Sequence, residues 1–288
     1  MPETAQRFFW GTPGERMFRD RLLARLTALP GAQSLWKRFP LGSLETRVRY
    51  GIFDRPHYAY GVYAAADLAR RLGLKAIQVI EFGVAGGRGL LALERIAADV
   101  AADLDIGVLV CGFDSGTGMP APADYRDLPH VWDKGFYAMD VGKLKSRLRS
   151  GTELVLGDLS TTLSTWRPQA PVGFVAFDLD YYSSTMQALA LFDRTSGAER
   201  LPRIYSYFDD IMWPEHALHN EWVGELRAIR EFNDTHADMK LSPIHMFRHT
   251  RVHAAPWNDQ MYVLHDFSHP LYCQNITFRG AKYTQLPI

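Results

Sequence analysis

Hydrophobic and polar positions along this chain alternate between two periods, and the change of period near residue 76 divides it. Before that point the pattern is helical. Thr12 to Glu15, TPGE, sets a cap residue, a proline at the first helical position and a glutamate at the third, which predicts a helix running to about Leu29, where Pro30 and Gly31 stop it. The stretch from there to Gly51 has no clear period and reads as irregular. A second helix is expected from Asp54 or Pro56 to Gly73, with Tyr58, Val62, Ala65, Ala69 and Leu72 on one face. From Ala76 short apolar runs alternate with helical segments: AIQVIEF, a helix from about Leu90 to Ala102, IGVLVCGF, ELVLGD, FVAFDLD and RIYSYFDD. Glu221 to Phe232 then reads as a helix, and PIHMFRH and QMYVLHDF as two late strands. Such alternation predicts an α/β fold with a doubly wound, mostly parallel sheet. The expected division is a helical cap over 1–75 and a sheet domain over 76–288. An insertion at about 115–150 carries Trp132, Phe136 and Tyr137, ends in a basic helix around Lys143 to Arg149, and is expected over the carboxyl edge of the sheet.

Composition narrows the function classes. Lys plus Arg and Asp plus Glu both total 32, so a formal charge of zero argues against nucleic acid or an anionic membrane as partner and favours a small molecule. No apolar run approaches the roughly 20 residues of a membrane span, and the N-terminal stretch lacks a secretory pattern, so a cytoplasmic location is expected. The two cysteines, Cys111 and Cys273, have no metal or redox spacing and read as structural thiols.

Three stretches carry chemistry, and each has a plainer reading. EFGVAGGRG, from Glu81 to Gly89, follows a strand and precedes a helix. There glycines let the backbone approach a ligand and the helix N-terminus offers free amides; the plainer reading is a glycine turn that only packs strand on helix. Gly83, Gly86 and Gly89 fall three apart, so the G-x-G-x-x-G spacing of a dinucleotide loop is missing and an NAD enzyme is disfavoured. In CGFDSGTGMP, Asp114 ends the next strand where a carboxylate can accept both hydroxyls of a ribose, or simply start a turn. Ser115 beside it joins the cofactor candidates, and Asp158 is a weaker candidate for the adenine edge or else a helix cap. Third, Asp178 and Asp180 end one strand while Asp209 and Asp210 end the next. Carboxylates that close are unfavourable without a cation or protons between them, and Mg²⁺ or another divalent cation is the natural partner. Isolated acidic pairs are usually solvated turns, but two acidic strand ends in adjacent units favour a metal.

The spacing E-x-G-x-x-x-G resembles motif I of class I S-adenosylmethionine-dependent methyltransferases. With GFDSGTGMP, FDLDYYSSTMQAL and FDD following in order, Ala76 to Ile211 resembles the macrocin O-methyltransferase family, metal-dependent enzymes that methylate sugar hydroxyls on natural products. The resemblance implies a seven-stranded class I sheet, S-adenosylmethionine as cofactor, and a glycosylated natural product as acceptor. It also implies Asp178, Asp209 and Asp210 as metal ligands and Asp180 as general base. Glu81, Gly83, Gly86 and Gly87 join Asp114, Ser115 and Asp158 as the cofactor set. The chain departs from the family pattern at Leu179, where glycine is usual, at Arg88 and at Ile211. His57, Tyr58, Tyr182 and His216 are the candidates for acceptor contacts, with histidines as rival bases to Asp180. Two competing functions are a metal-independent N- or C-methyltransferase on the same fold and a non-catalytic cofactor-binding module. Dimerisation through the helical cap is compatible with the sequence.

Overall fold

The computed structural model describes residues 23–276, so the capping box at Thr12 to Glu15 lies outside the described residues. Residues 23–27 are helical. Two short helices follow, α1 (Ala32–Arg38) and α2 (Leu44–Tyr50), in the stretch expected to be irregular. The physical reason for α2 is a local cap and a buried face. The Ser43 side chain accepts from the Thr46 amide, and Leu44, Val48 and Tyr50 are buried. The expected second helix is α3 (Pro56–Arg71), with proline in its first turn and Gly73 beyond its end at φ +82°.

Seven strands form one sheet in the order β3-β2-β1-β4-β5-β7-β6. They are β1 (Ala76–Phe82), β2 (Gly107–Asp114), β3 (Glu153–Leu156), β4 (Val172–Phe177), β5 (Arg200–Phe208), β6 (Met239–Pro243) and β7 (Met261–Asp266). The first five pair in parallel and β7 runs antiparallel to both of its neighbours. This is the doubly wound, mostly parallel seven-stranded sheet that the alternating pattern and the motif order predict. Every residue of β4 and all but the first of β1 are buried, as strands covered on both faces must be. One group of helices, α2, α3 and α4 (Arg88–Leu104), packs together. A second comprises α6 (Leu159–Thr165), α7 (Tyr182–Arg194) and α8 (Gly224–Thr235). The insertion contains the short α5 (Val141–Lys145) between β2 and β3.

One strand expectation is corrected. PIHMFRH is not a strand: pairing stops at Pro243, and Met246 turns at φ +57° into a single helical turn, α9 (Phe247–Thr250). Proline has no amide to donate and is tolerated because β6 is an edge strand. Phe247 is instead buried against Tyr60 and Trp257. The helix expected from Glu221 begins at Gly224, because Asn220 folds back to accept the Trp222 amide at 2.9 Å.

Register places the chemistry. Phe113, Phe82, Phe177 and Phe208 pair in one row across β2, β1, β4 and β5, with adjacent rings 5.0, 5.6 and 4.5 Å apart. The next residue on each strand is Asp114, Gly83, Asp178 and Asp209. A buried aromatic row therefore supports four consecutive strand ends at the same height. Strand order reverses between β1 and β4, where an open α/β sheet leaves its ligand crevice.

Candidate functional site

The glycine loop leaves β1 in backbone shapes that side chains would block. Gly83 sits at φ +86°, and a Cβ there would lie 1.7 Å from the carbonyl oxygen of Asp178. The loop after β1 and the loop after β4 are thus in backbone contact. Gly89 is constrained for another reason: a Cβ would come 1.7 Å from Glu81 Oε1, so its missing side chain makes room for that carboxylate. Gly87 caps α4 at φ +79° and faces Leu144 of the insertion; it packs the loop and is not among the residues that line the cavity.

Glu81 is buried at 1% exposure. Its Oε1 accepts the Tyr58 hydroxyl at 2.6 Å, and its Oε2 has no partner among the described residues. Burial pushes this carboxyl up to about 7, against the Tyr58 hydrogen bond and the Arg55 charge, which lower it. Asp114 is held differently. Ala85 and Gly116 donate backbone amides to its two oxygens at 2.8 and 2.7 Å, which orients the carboxylate and leaves acceptor positions open on both atoms. Asp158 caps α6 through the Ser160 amide at 2.9 Å and also lines the cavity.

Across the crevice, Asp178, Asp209 and Asp210 each present a carboxylate oxygen, all within 4.8 Å of one another. Tyr207 donates its hydroxyl to Asp209 Oδ1 at 2.5 Å, and Gln260 holds the Asp209 carbonyl at 2.7 Å. The Asp210 amide donates to the buried Glu225 at 3.0 Å, and Asp210 Oδ2 accepts the Asp180 amide at 2.9 Å. Burial, then the neighbouring acids, hold Asp178 and Asp210 well above the ordinary carboxylate range. Asp180 rises to about 6, chiefly through burial. Three hard oxygen donors converging at this distance fit a divalent cation, which would relieve their repulsion. Leu179 raises no backbone difficulty, because the left-handed turn is taken by Asp180, at φ +59°, and not by residue 179. The loop therefore needs no glycine between its two acids.

A single cavity of about 1240 Å³ joins the two halves. Glu81, Gly83, Gly86, Asp114, Ser115 and Asp158 line it on the glycine-loop side, and Asp178, Asp180, Asp209 and Asp210 on the acidic side. His216 also lines it, but the other three acceptor candidates do not. Tyr58 is fully buried on Glu81. The His57 ring stacks 4.0 Å from Tyr207, and burial, with the Arg55 charge, lowers its pKa to about 3, which removes it as a base near neutral pH. Tyr182 turns away beneath the Arg126 guanidinium, 4.1 Å from its ring.

Sequence reasoning missed several contributors. Arg55 is half-buried and lines the cavity, and the charges of Tyr58, Glu81, Asp178 and Asp209 raise its pKa in spite of burial. Tyr207 could have been found, since it stands two residues before Asp209 and the period-2 alternation of β5 points both the same way at the strand end. Gln260 and Glu225 arrive from distant segments and carried no local signal. Trp132, Lys134 and Tyr137 bring the insertion to the cavity wall.

No protein-family model and no curated protein matches the chain. Among solved structures, it is similar to CalS11, a calicheamicin methyltransferase, at 21% identity, covering 88% of this chain and 93% of that one with a TM-score of 0.49. The O-methyltransferase NovP matches at 14% identity over 73% of this chain and 79% of its own, with a TM-score of 0.48. TomG, an O-methyltransferase from Streptomyces achromogenes involved in tomaymycin synthesis, matches at 16% identity over 71% and 87%, with a TM-score of 0.37.

Proposed function

We propose that the protein is an S-adenosylmethionine-dependent O-methyltransferase that acts on a hydroxyl of a small natural product, on its sugar part, as macrocin-type enzymes do. The observation that carries this reading is the joined cavity. At about 1240 Å³ it exceeds the ~300–1,000 Å³ typical of one small-molecule pocket, and its two walls differ in chemistry. One offers orphaned and pre-oriented acceptors beside a glycine loop; the other offers clustered acids.

In this reading Glu81 Oε2 accepts from the cofactor's ammonium group, Asp114 accepts from its ribose hydroxyls and Asp158 contacts its base. S-adenosylmethionine supplies the electrophilic methyl group. Asp178, Asp209 and Asp210 hold a divalent cation, whose chemistry is to stabilise a developing alkoxide and neutralise the cluster. Asp180, next to them and lining the same cavity, takes the proton from the acceptor oxygen. Tyr207 and Gln260 keep Asp209 in place, and Trp132 and Tyr137 shield the acceptor from water. In-line displacement at a methyl carbon depends on register more than on acid catalysis, so positioning is the main contribution of the chain.

The test is Asp180→Asn, with S-adenosylhomocysteine binding measured by calorimetry and methyl transfer to a panel of glycosylated acceptors measured by product release. Binding should persist while turnover falls by about two orders of magnitude or more. Near-normal turnover removes Asp180 from the base role. Indifference of the wild-type enzyme to EDTA defeats the metal part of the reading.

A further inference from the structure

A second pocket, of about 280 Å³, adjoins the main cavity, and Arg55 and Arg88 line both. Its other charged residues are Arg95, Arg147 and Asp54, so the pocket carries four guanidinium groups and one carboxylate, with Arg55 also acted on by Glu81, Asp178 and Asp209 of the main cavity. Three separate segments build it. Arg88 and Arg95 stand two turns apart on the same side of α4, Arg147 follows α5 in the insertion, and Arg55 precedes α3. Among the described residues no ion pair or side-chain hydrogen bond engages Arg88, Arg95 or Arg147. Arg88, Arg95 and Arg147 are exposed, so water screens their mutual repulsion, but an anion seated between them meets several guanidinium groups at once, and arginine forks match phosphate oxygens two at a time.

We propose that this pocket binds a phosphate or diphosphate group. Its continuity with the main cavity through Arg55 and Arg88 gives that group a place on the acceptor: a sugar carried as its nucleoside diphosphate could seat its diphosphate here while its hydroxyl reaches Asp180. This second step rests on the methyl-transfer reading above; the anion site itself does not. A free phosphate-type anion has the same chemistry, and the arms of the experiment separate the two sources.

The experiment is calorimetric titration of the full chain with inorganic pyrophosphate, and separately with a nucleoside diphosphate sugar, each with saturating S-adenosylhomocysteine present. The wild type and an Arg95→Ala, Arg147→Ala double variant are compared. Pyrophosphate should bind, weaken with added salt, and lose at least about tenfold in affinity in the double variant, while S-adenosylhomocysteine affinity stays the same. Tighter binding of the sugar nucleotide than of pyrophosphate, lost in the same variant, assigns the anion to the acceptor; equal binding assigns it to a free anion. Absence of pyrophosphate binding, or equal binding by the double variant, would overturn the site. Failure of S-adenosylhomocysteine itself to bind would instead sink the methyl-transfer reading and leave the pyrophosphate result standing.

Discussion

Replacing Gly83 by alanine tests the backbone contact on which both halves of the site depend. Gly83 and Gly73 have nearly the same left-handed φ, +86° and +82°, but a Cβ on Gly73 meets nothing within 4 Å while one on Gly83 lies 1.7 Å from the Asp178 carbonyl oxygen. Gly73→Ala therefore isolates the left-handed penalty, about 1–2 kcal/mol. Gly83→Ala adds an overlap. Moving that contact to the 3.0 Å below which real Cβ atoms essentially never approach requires about 1.3 Å of displacement, the difference between 3.0 and 1.7 Å. Backbone cannot swing aside like a flexible side chain, so the cost of overpacking, about 1–3 kcal/mol, comes on top, for about 2–5 kcal/mol in all. Effects of alanine on the unfolded chain are common to both variants and cancel in their difference. Urea unfolding with a shared slope should give a midpoint for Gly83→Ala clearly below that of Gly73→Ala. Because the shifted atoms belong to Asp178, turnover should fall about a hundredfold as well. Equal midpoints, or a Gly83→Ala enzyme with wild-type turnover, would refute the claim that the two loops are locked together.

Glu81 makes stability depend on pH. Its folded pKa, about 7, lies above the ordinary 4.5, so the native state binds more protons in that window and stability falls as pH rises from 4.5 to 7. Glu81→Gln should abolish this component, worth about 3–4 kcal/mol at most; urea midpoints at pH 5 and pH 8 for both proteins would show it, and identical pH slopes would contradict it. His57 should show no imidazole titration by NMR between pH 5 and pH 8, because burial and the Arg55 charge hold it neutral. Mg²⁺ at a hundred times its dissociation constant should raise the unfolding free energy by about 2.7 kcal/mol, and Asp209→Asn should remove most of that gain; equal stabilisation of both proteins would place the cation elsewhere.

Much of the architecture was legible because it rests on local periodicity. Apolar runs such as VGFVAF and AIQVIEF cannot face water on either side, and the helical stretches between them leave few topologies. The glycine and acid motifs were legible because each falls at the end of an apolar, strand-like run. Where the local signal was weak or misleading, tertiary packing decided the outcome. Phe247 left the expected strand for a buried aromatic cluster, and the short α2 is held by burial of Leu44, Val48 and Tyr50. His57 and Tyr58 read as acceptor contacts, yet one stacks on Tyr207 and the other is sealed onto Glu81.

By itself, then, the sequence determined the order of the first five strands, the sheet class and the residues available at the ends of those strands. Only the tertiary structure decided how those ends line up and what surrounds them. Register sets Asp114, Gly83, Asp178 and Asp209 side by side, the left-handed turn falls on Asp180 instead of Leu179, and Tyr207, Gln260, Glu225 and Arg55 converge from separate segments. The physical reason is range: periodicity and capping act over a few residues, whereas register, burial and charge proximity depend on groups that the chain brings together only once the sheet has formed.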